Sequence, residues 1–269
     1  MDAQTDFAGL QRDRASWWYA ARRKLLREAV SQALQSKREA RILDAGGTAE
    51  LAFEQPALFR VVNHHSSMQH LAFQRMQGAT NLVCSAFDEL AFASNGFDVI
   101  VAGDILQGVA DDMAALRELR RVLKDGGLLC LTVPAYSFLW GEDDERRGHY
   151  RRYTASELRR KLTTSGFEVQ RASYFVAGAF IPLTLERVVK NIFHTSIVRD
   201  QHYTERSKFR NAVLVSLLDA ERHLMHAINL PFGTRVVCWA RKPTLVAERV
   251  TVSAWERQWA APPLPQGSG

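Results

Sequence analysis

Apolar side chains recur at helical spacing between Phe7 and Leu34, where Leu10, Trp17, Trp18, Leu25, Leu26, Val30 and Leu34 stand among arginines and lysines. That period predicts an amphipathic helix, in one piece or two, ahead of the first strand. The texture then changes to short apolar runs at 41–45, 60–64, 81–85, 97–102 and 128–133, which read as strands. Helical patterns lie between them, most clearly over 111–123. Strands alternating with helices imply parallel pairing with crossovers on both faces, an α/β doubly wound, Rossmann-like sheet.

Lys124-Asp125-Gly126-Gly127 closes that helix with a glycine pair suited to a left-handed cap. Thr154 is placed to cap a helix running to Thr164, and Gly166 stops it before a strand at 167–174. Two further helices, over 180–193 and 205–228, precede a last strand at 235–240. The organisation expected is a helical extension over 1–40, a core over 41–175, a helical insertion over 176–230, a completing strand over 231–245 and a partly disordered tail over 246–269.

An apolar fraction of 46% is that of a chain with a core. The surplus of 35 Lys and Arg over 29 Asp and Glu gives a net charge of +6, but the basic residues are dispersed, which argues against nucleic acid as partner. Cys84, Cys130 and Cys238 stand alone in strand-like runs, with neither metal nor disulfide spacing, and point to a reducing, cytoplasmic compartment. The longest apolar stretch, 174–185, is too short to span a bilayer and contains Pro182, so no transmembrane helix is expected.

The stretch Arg41-Ile-Leu-Asp-Ala-Gly, the run Phe97-Asp-Val-Ile-Val, and Leu116-Arg-Glu-Leu-Arg-Arg-Val-Leu-Lys-Asp-Gly-Gly-Leu-Leu together resemble the class I S-adenosylmethionine (SAM)-dependent methyltransferases. Three more segments are similar to a bacterial small-molecule or envelope-associated subgroup. They are Trp17-Trp18-Tyr19 with Arg22-Arg23, Gly148-His149-Tyr150-Arg151-Arg152-Tyr153-Thr154, and Leu230-Pro231-Phe232-Gly233-Thr234. The resemblance spans roughly residues 7–243 and implies seven strands, one antiparallel near the end, with SAM across the carboxyl ends of the first strands.

On that resemblance Asp44, Gly46, Gly47, His65, Asp88 and Asp104 fall where cofactor contacts are expected. Several positions depart from the family pattern. Thr48 and Glu50 replace glycines, Pro56 interrupts the next helix, and His65 stands where a carboxylate would accept bonds from both ribose hydroxyls. Ser85 and Ala86 replace an adenine-contacting acid, with Asp88 and Glu89 just beyond, and Gln107-Gly108 replaces an acid–histidine pair. The cofactor site therefore reads as degenerate.

On the acceptor side His149 suits a base, with Tyr153 beside it as a second catalytic candidate, and Arg151 and Arg152 suit a phosphate or carboxylate. The alternative for these residues is packing, helix capping and solvated arginines. Asp143, Asp144 and Glu145 are consecutive and read as a solvated loop, and no histidine spacing matches a metal cage. Trp17, Trp18 and Tyr19 read equally as a pocket lid or as core.

Two functions follow. The family default is methyl transfer from SAM to a small-molecule or envelope-precursor acceptor. The alternative is a non-methylating relative, either a partner-binding pseudoenzyme or a protein using the acceptor pocket for SAM-independent chemistry. The 176–230 insertion offers an acceptor pocket, a protein-partner or homodimer contact, or a peripheral membrane patch.

Overall fold

The structure, a computed structural model, describes residues 17–35, 37, 39–46, 59–178, 180–181, 184–185 and 208–244. Helix α1 (Trp17–Leu34) leads into β1 (Ala40–Ala45) and β2 (Phe59–His65). There follow α2 (Met68–Met76), β3 (Leu82–Cys84), β4 (Phe97–Gly103), α3 (Asp112–Val122) and β5 (Leu123–Pro134). A short α4 (Glu142–Arg146), α5 (Ala155–Thr164), β6 (Glu168–Phe175), α6 (Lys208–Ala227) and β7 (Arg235–Arg241) complete the order.

The strands form one seven-stranded sheet in the order β3-β2-β1-β4-β5-β7-β6. Strands β1 to β5 pair in parallel, and β7 runs antiparallel to β5 and β6 on either side of it. The winding reverses between β1 and β4, so their carboxyl ends flank the crevice where open α/β sheets bind ligands. This is the doubly wound sheet expected from the alternating pattern.

Local chemistry sets the helix starts. Asp111 accepts the N–H of Ala114 to open α3, Thr154 accepts that of Glu157 to open α5, and Ser67 that of His70 to open α2. Helix α3 turns Ala115, Leu116, Leu119 and Val122 inward, and all four join Leu43, Ile100, Leu129 and Val236 in the main core. On the opposite face α1 packs Leu26, Val30 and Leu34 against Val99 and Val101. There too, Trp17 and Leu25 meet Phe175, Leu218 and Met225. Trp17 is thus core rather than lid; the side chain of Trp18 lies outside the described residues.

Helix α3 stops at Val122, and Leu123 already pairs with Phe97, so β5 begins five residues before its predicted start, across a register shift at Phe97/Val99. The left-handed turn falls at Gly126. Of the predicted 180–193 helix only residues 180, 181, 184 and 185 are described, all helical, and the 246–269 tail lies outside the described residues. Among the described residues no helix is long and apolar enough to cross a membrane.

Gly233 lies where the approach to β7 crosses the end of β6. A Cβ there would sit 2.3 Å from the Phe175 carbonyl oxygen and 2.8 Å from its nitrogen, backbone atoms that no rotamer change can move. Gly233→Ala is expected to cost about 2 kcal/mol in urea unfolding, and an unaltered midpoint would mean the β6–β7 corner is not tightly packed.

His64, fully buried at the end of β2, lies edge-on to Phe87 at 4.9 Å and places Nε2 3.0 Å from the Ser85 carbonyl. Burial drives its pKa from 6.5 down to about 4, against the upward pull of Ser85. The unfolded chain therefore takes a proton near pH 6.5 that the folded chain refuses until about pH 4. Stability is whole above pH 6.5 and falls towards pH 4, with His64 contributing about 3 kcal/mol of the loss. His64→Gln, which does not titrate, should flatten that limb of the unfolding curve; a slope identical to wild type would assign it to other groups.

Candidate active site

At the carboxyl end of β4 the chain turns sharply, and Asp104 adopts a left-handed backbone conformation with φ 53°. Its carboxylate meets Arg22 of α1 at 2.6 Å and Arg235 of β7 at 3.3 Å, and accepts the Thr132 hydroxyl at 3.2 Å. Burial alone would raise the Asp104 pKa, but Arg235 and Arg22, helped by Thr132, outweigh it and hold the group ionised. The Arg22 side chain is itself fully buried and lies over the Tyr19 ring.

The 149–153 segment threads between this turn and the end of β5. Tyr150 N–H donates to the Gln107 carbonyl, Tyr153 N–H to that of Pro134, and Tyr136 N–H to that of Tyr153. Gln107, whose carbonyl holds Tyr150 and whose side chain donates to the Asp104 carbonyl, ties the His149 segment to this turn. The His149 Nδ1 lies 2.9 Å from Asp144 Oδ1. Arg152 donates to the same carboxylate from Nε and from Nη2 at 2.8 Å, and the Gly141 N–H does so at 2.9 Å.

Asp144 is nearly inaccessible, and its bonds to His149, Arg152 and Gly141 overcome the cost of burial and keep its pKa well below the ordinary carboxylate range. A carboxylate can only accept, so His149 carries a proton on Nδ1, and Nε2 is the ring nitrogen left free of this contact. The expected solvated loop at 143–145 is corrected here. It forms α4, and of its acids Asp144 alone turns inward, because His149 and Arg152 together compensate its charge.

Arg151 and Arg152 differ in their surroundings. Arg152 is committed to Asp144 and the Ala135 carbonyl, whereas Arg151 reaches Asp112 at 3.2 Å and the Ala110 carbonyl with its side chain 30% exposed. Tyr153 is not presented to the crevice. It is fully buried, its hydroxyl donates to Asp112 at 2.9 Å, and burial together with the Asp112 charge raises its pKa.

On the cofactor side, Asp44 is fully buried at the end of β1, in register with Asn63 and Val101. Gly46 follows with φ 104°, and a Cβ there would come within 2.2 Å of Ile105. His65 ends β2, as the count along the chain expected. Its Nδ1 accepts the Ser67 N–H at 2.9 Å and its ring stacks on His70 at 4.0 Å. Burial, with His70 and His64 adding to it, lowers its pKa to about 3, so the ring is neutral with the proton on Nε2.

Asp88 and Glu89 are exposed beyond β3. Gly47, Thr48, Glu50 and Pro56 lie outside the described residues. Gln107, 2% exposed, donates from Nε2 to the Asp104 carbonyl, while among the described residues no donor reaches its buried Oε1. The structure thus brings together Asp104, Gln107 and His149, and adds Arg22, Arg235 and Asp144, to which the sequence reading gave no role at the site. Arg22 and Arg235 do lie within or beside the segments that carry the family resemblance, and that was the available signal.

A model of the methyltransferase domain matches residues 43–131. The ubiquinone/menaquinone biosynthesis C-methyltransferase of Desulfotalea psychrophila is 30% identical over 130 residues, 47% of this chain and 49% of that protein. The chain spans no more than about half the length of the curated relatives it matches. Among solved structures, the cyclase SpnF superposes with a TM-score of 0.53 at 22% identity, covering 86% of this chain and 84% of that one. The phosphoethanolamine N-methyltransferase 2 of Haemonchus contortus, solved with SAM, gives 0.50 at 19% identity over 80% of this chain and 51% of that one. These structural likenesses establish the fold, and the match of the domain model adds that residues 43–131 are similar to a methyltransferase domain.

Proposed function

We propose that the chain transfers a methyl group from SAM to a hydroxyl or amine on a small-molecule or envelope-precursor acceptor, with His149 as the base. The observation that carries this reading is the Asp144–His149 pair beside Asp104. A buried, ionised carboxylate holds the imidazole through Nδ1, so that Nε2 is the nitrogen turned to the proton-transfer role.

Two features support the fit of the cofactor. Oε1 of Gln107, to which no described residue donates, is an acceptor suited to an amino group, and His65 Nε2–H can donate to a ribose hydroxyl oxygen. The last donates once where the family's carboxylate would accept twice, so the polarity is reversed and one of the two bonds is given up. When bound, SAM supplies an electrophilic methyl on a sulfonium.

His149 would accept the proton as the acceptor heteroatom forms its bond to carbon, and Asp144 would stabilise the resulting imidazolium. Asp104, clamped by Arg22 and Arg235, would fix the floor of the crevice in one arrangement. The exposed donors of Arg151 suit an anionic group on the acceptor.

Calorimetry with SAM and S-adenosylhomocysteine should give dissociation constants near the micromolar range. A folded protein that binds neither would end the methyl-transfer reading. In an acceptor screen read by S-adenosylhomocysteine release, His149→Ala is expected to lower kcat about 100-fold or more with SAM affinity unchanged. Asp144→Asn should lower kcat about tenfold or more with SAM affinity unchanged, since an amide can turn either its oxygen or its NH2 to Nδ1 and no longer fixes which ring nitrogen bears the proton; a kcat equal to wild type would leave Asp144 a purely structural role.

A further inference from the structure

A groove of about 360 Å³ lies between α1, α6 and the sheet, lined by Leu128 near the start of β5 and Arg241 at the end of β7. It therefore opens at the opposite end of the strands from Asp104 and His149. Trp239 of β7 lines it and packs at the junction of the two smaller core clusters under α1 and α6. The α1 residues on this side include Ala29 and Ala33, whose methyl groups are too short to close the space over the indole. The volume falls in the range that holds small organic ligands.

The charge on the rim is one-sided. Arg171, Arg222 and Arg241 line the groove, and Glu28 is the single acid among the lining residues. Each guanidinium is only partly used by the protein. Arg171 donates to the Met225 and His226 carbonyls at the end of α6, Arg241 to the Gly126 carbonyl at 2.8 Å, and Arg222 to Glu28. Arg222, 9% exposed, is the most committed of the three, paired with Glu28 and, through Nε at 3.5 Å, with Asp219. Arg171 and Arg241 meet carbonyls and, among the described residues, no carboxylate, so their charge is open to an anion brought from outside.

We propose that this groove is a binding site for a small organic anion: an aromatic or alkyl body seated against Trp239 and Met225, with a carboxylate among Arg171, Arg222 and Arg241. The floor sets the apolar body and the arginine donors set the sign of the charge. A carboxylate offers several lone pairs in one plane and can satisfy more than one guanidinium at once. Inorganic phosphate matches the charge without the body, and an arylamine matches the body with the wrong charge, so both bind weakly or not at all.

The probe is 1-naphthoate, followed by calorimetry and by amide hydrogen exchange on the full chain. Saturable one-to-one binding is expected, with protection centred on residues 25–33 and 222–228. Ala33→Trp, which fills the groove, and Arg241→Gln, which removes a rim donor without touching the core, should each weaken binding about tenfold while circular dichroism stays unchanged. Inorganic phosphate and 1-naphthylmethylamine should fail to compete. Absence of binding by folded protein, protection at residues 104–110 and 149–153 instead, or full affinity in Arg241→Gln would each overturn the site. The groove is remote from His149, so its failure would leave methyl transfer standing, and the reverse.

Discussion

The half-buried carboxylate of Asp104 is held ionised by positive charge beside it, and the two guanidiniums that meet it come from opposite ends of the fold. Arg22 arrives from α1 and Arg235 from β7, with Thr132 of β5 completing the set. Removing one partner of such a cluster typically costs about 3–5 kcal/mol, because a charge is then left in a medium that solvates it poorly. The interaction therefore fixes more than a side chain. It ties the helix ahead of the sheet and the strand that completes it to the turn after β4, where the two halves of the sheet part.

Around that point the site is assembled mainly from backbone. The 149–153 segment is strung between the turn after β4 and the end of β5 by main-chain bonds to Gln107, Pro134 and Tyr136. Tyr153 and Asp112 lock it from beneath, with Lys161 and Arg151 neutralising Asp112. The placement of His149 thus depends on residues that never face the crevice. The HisTyrArgArgTyr run divides its labour accordingly: His149 is presented, Arg152 is committed to Asp144, and Tyr153 is an anchor.

The sheet was legible from the chain because alternation of short apolar runs with helical stripes is a local signal, and the caps at Asp111 and Thr154 are local too. His65 was legible by counting, since it ends a strand whose start was plain. What local pattern did not carry was pairing across sequence distance. Arg22 and Asp104 are 82 residues apart, and nothing in the spacing around either one announces the other. Asp144 was hidden for a different reason. A run of four acids, Glu142 to Glu145, reads as solvated, and only the three-dimensional arrival of His149 and Arg152 singles out the one that turns inward. Boundaries moved where an irregular pairing intervened, as at the start of β5.

The position of β7 has a consequence for how the molecule comes into being. It lies between β5 and β6, yet more than fifty residues separate the end of β6 from its own beginning. A chain emerging from the ribosome would have made β1 to β6 while the gap that β7 fills still left two unpaired strand edges. Those edges are templates for pairing with other chains until the last strand slides in antiparallel between them. Such an insertion closes a long loop before it gains any ladder bonds, which makes the step slow and places it late. A chain interrupted before residue 235 would therefore lack the Arg235 clamp on Asp104 and would also expose a split sheet to aggregation.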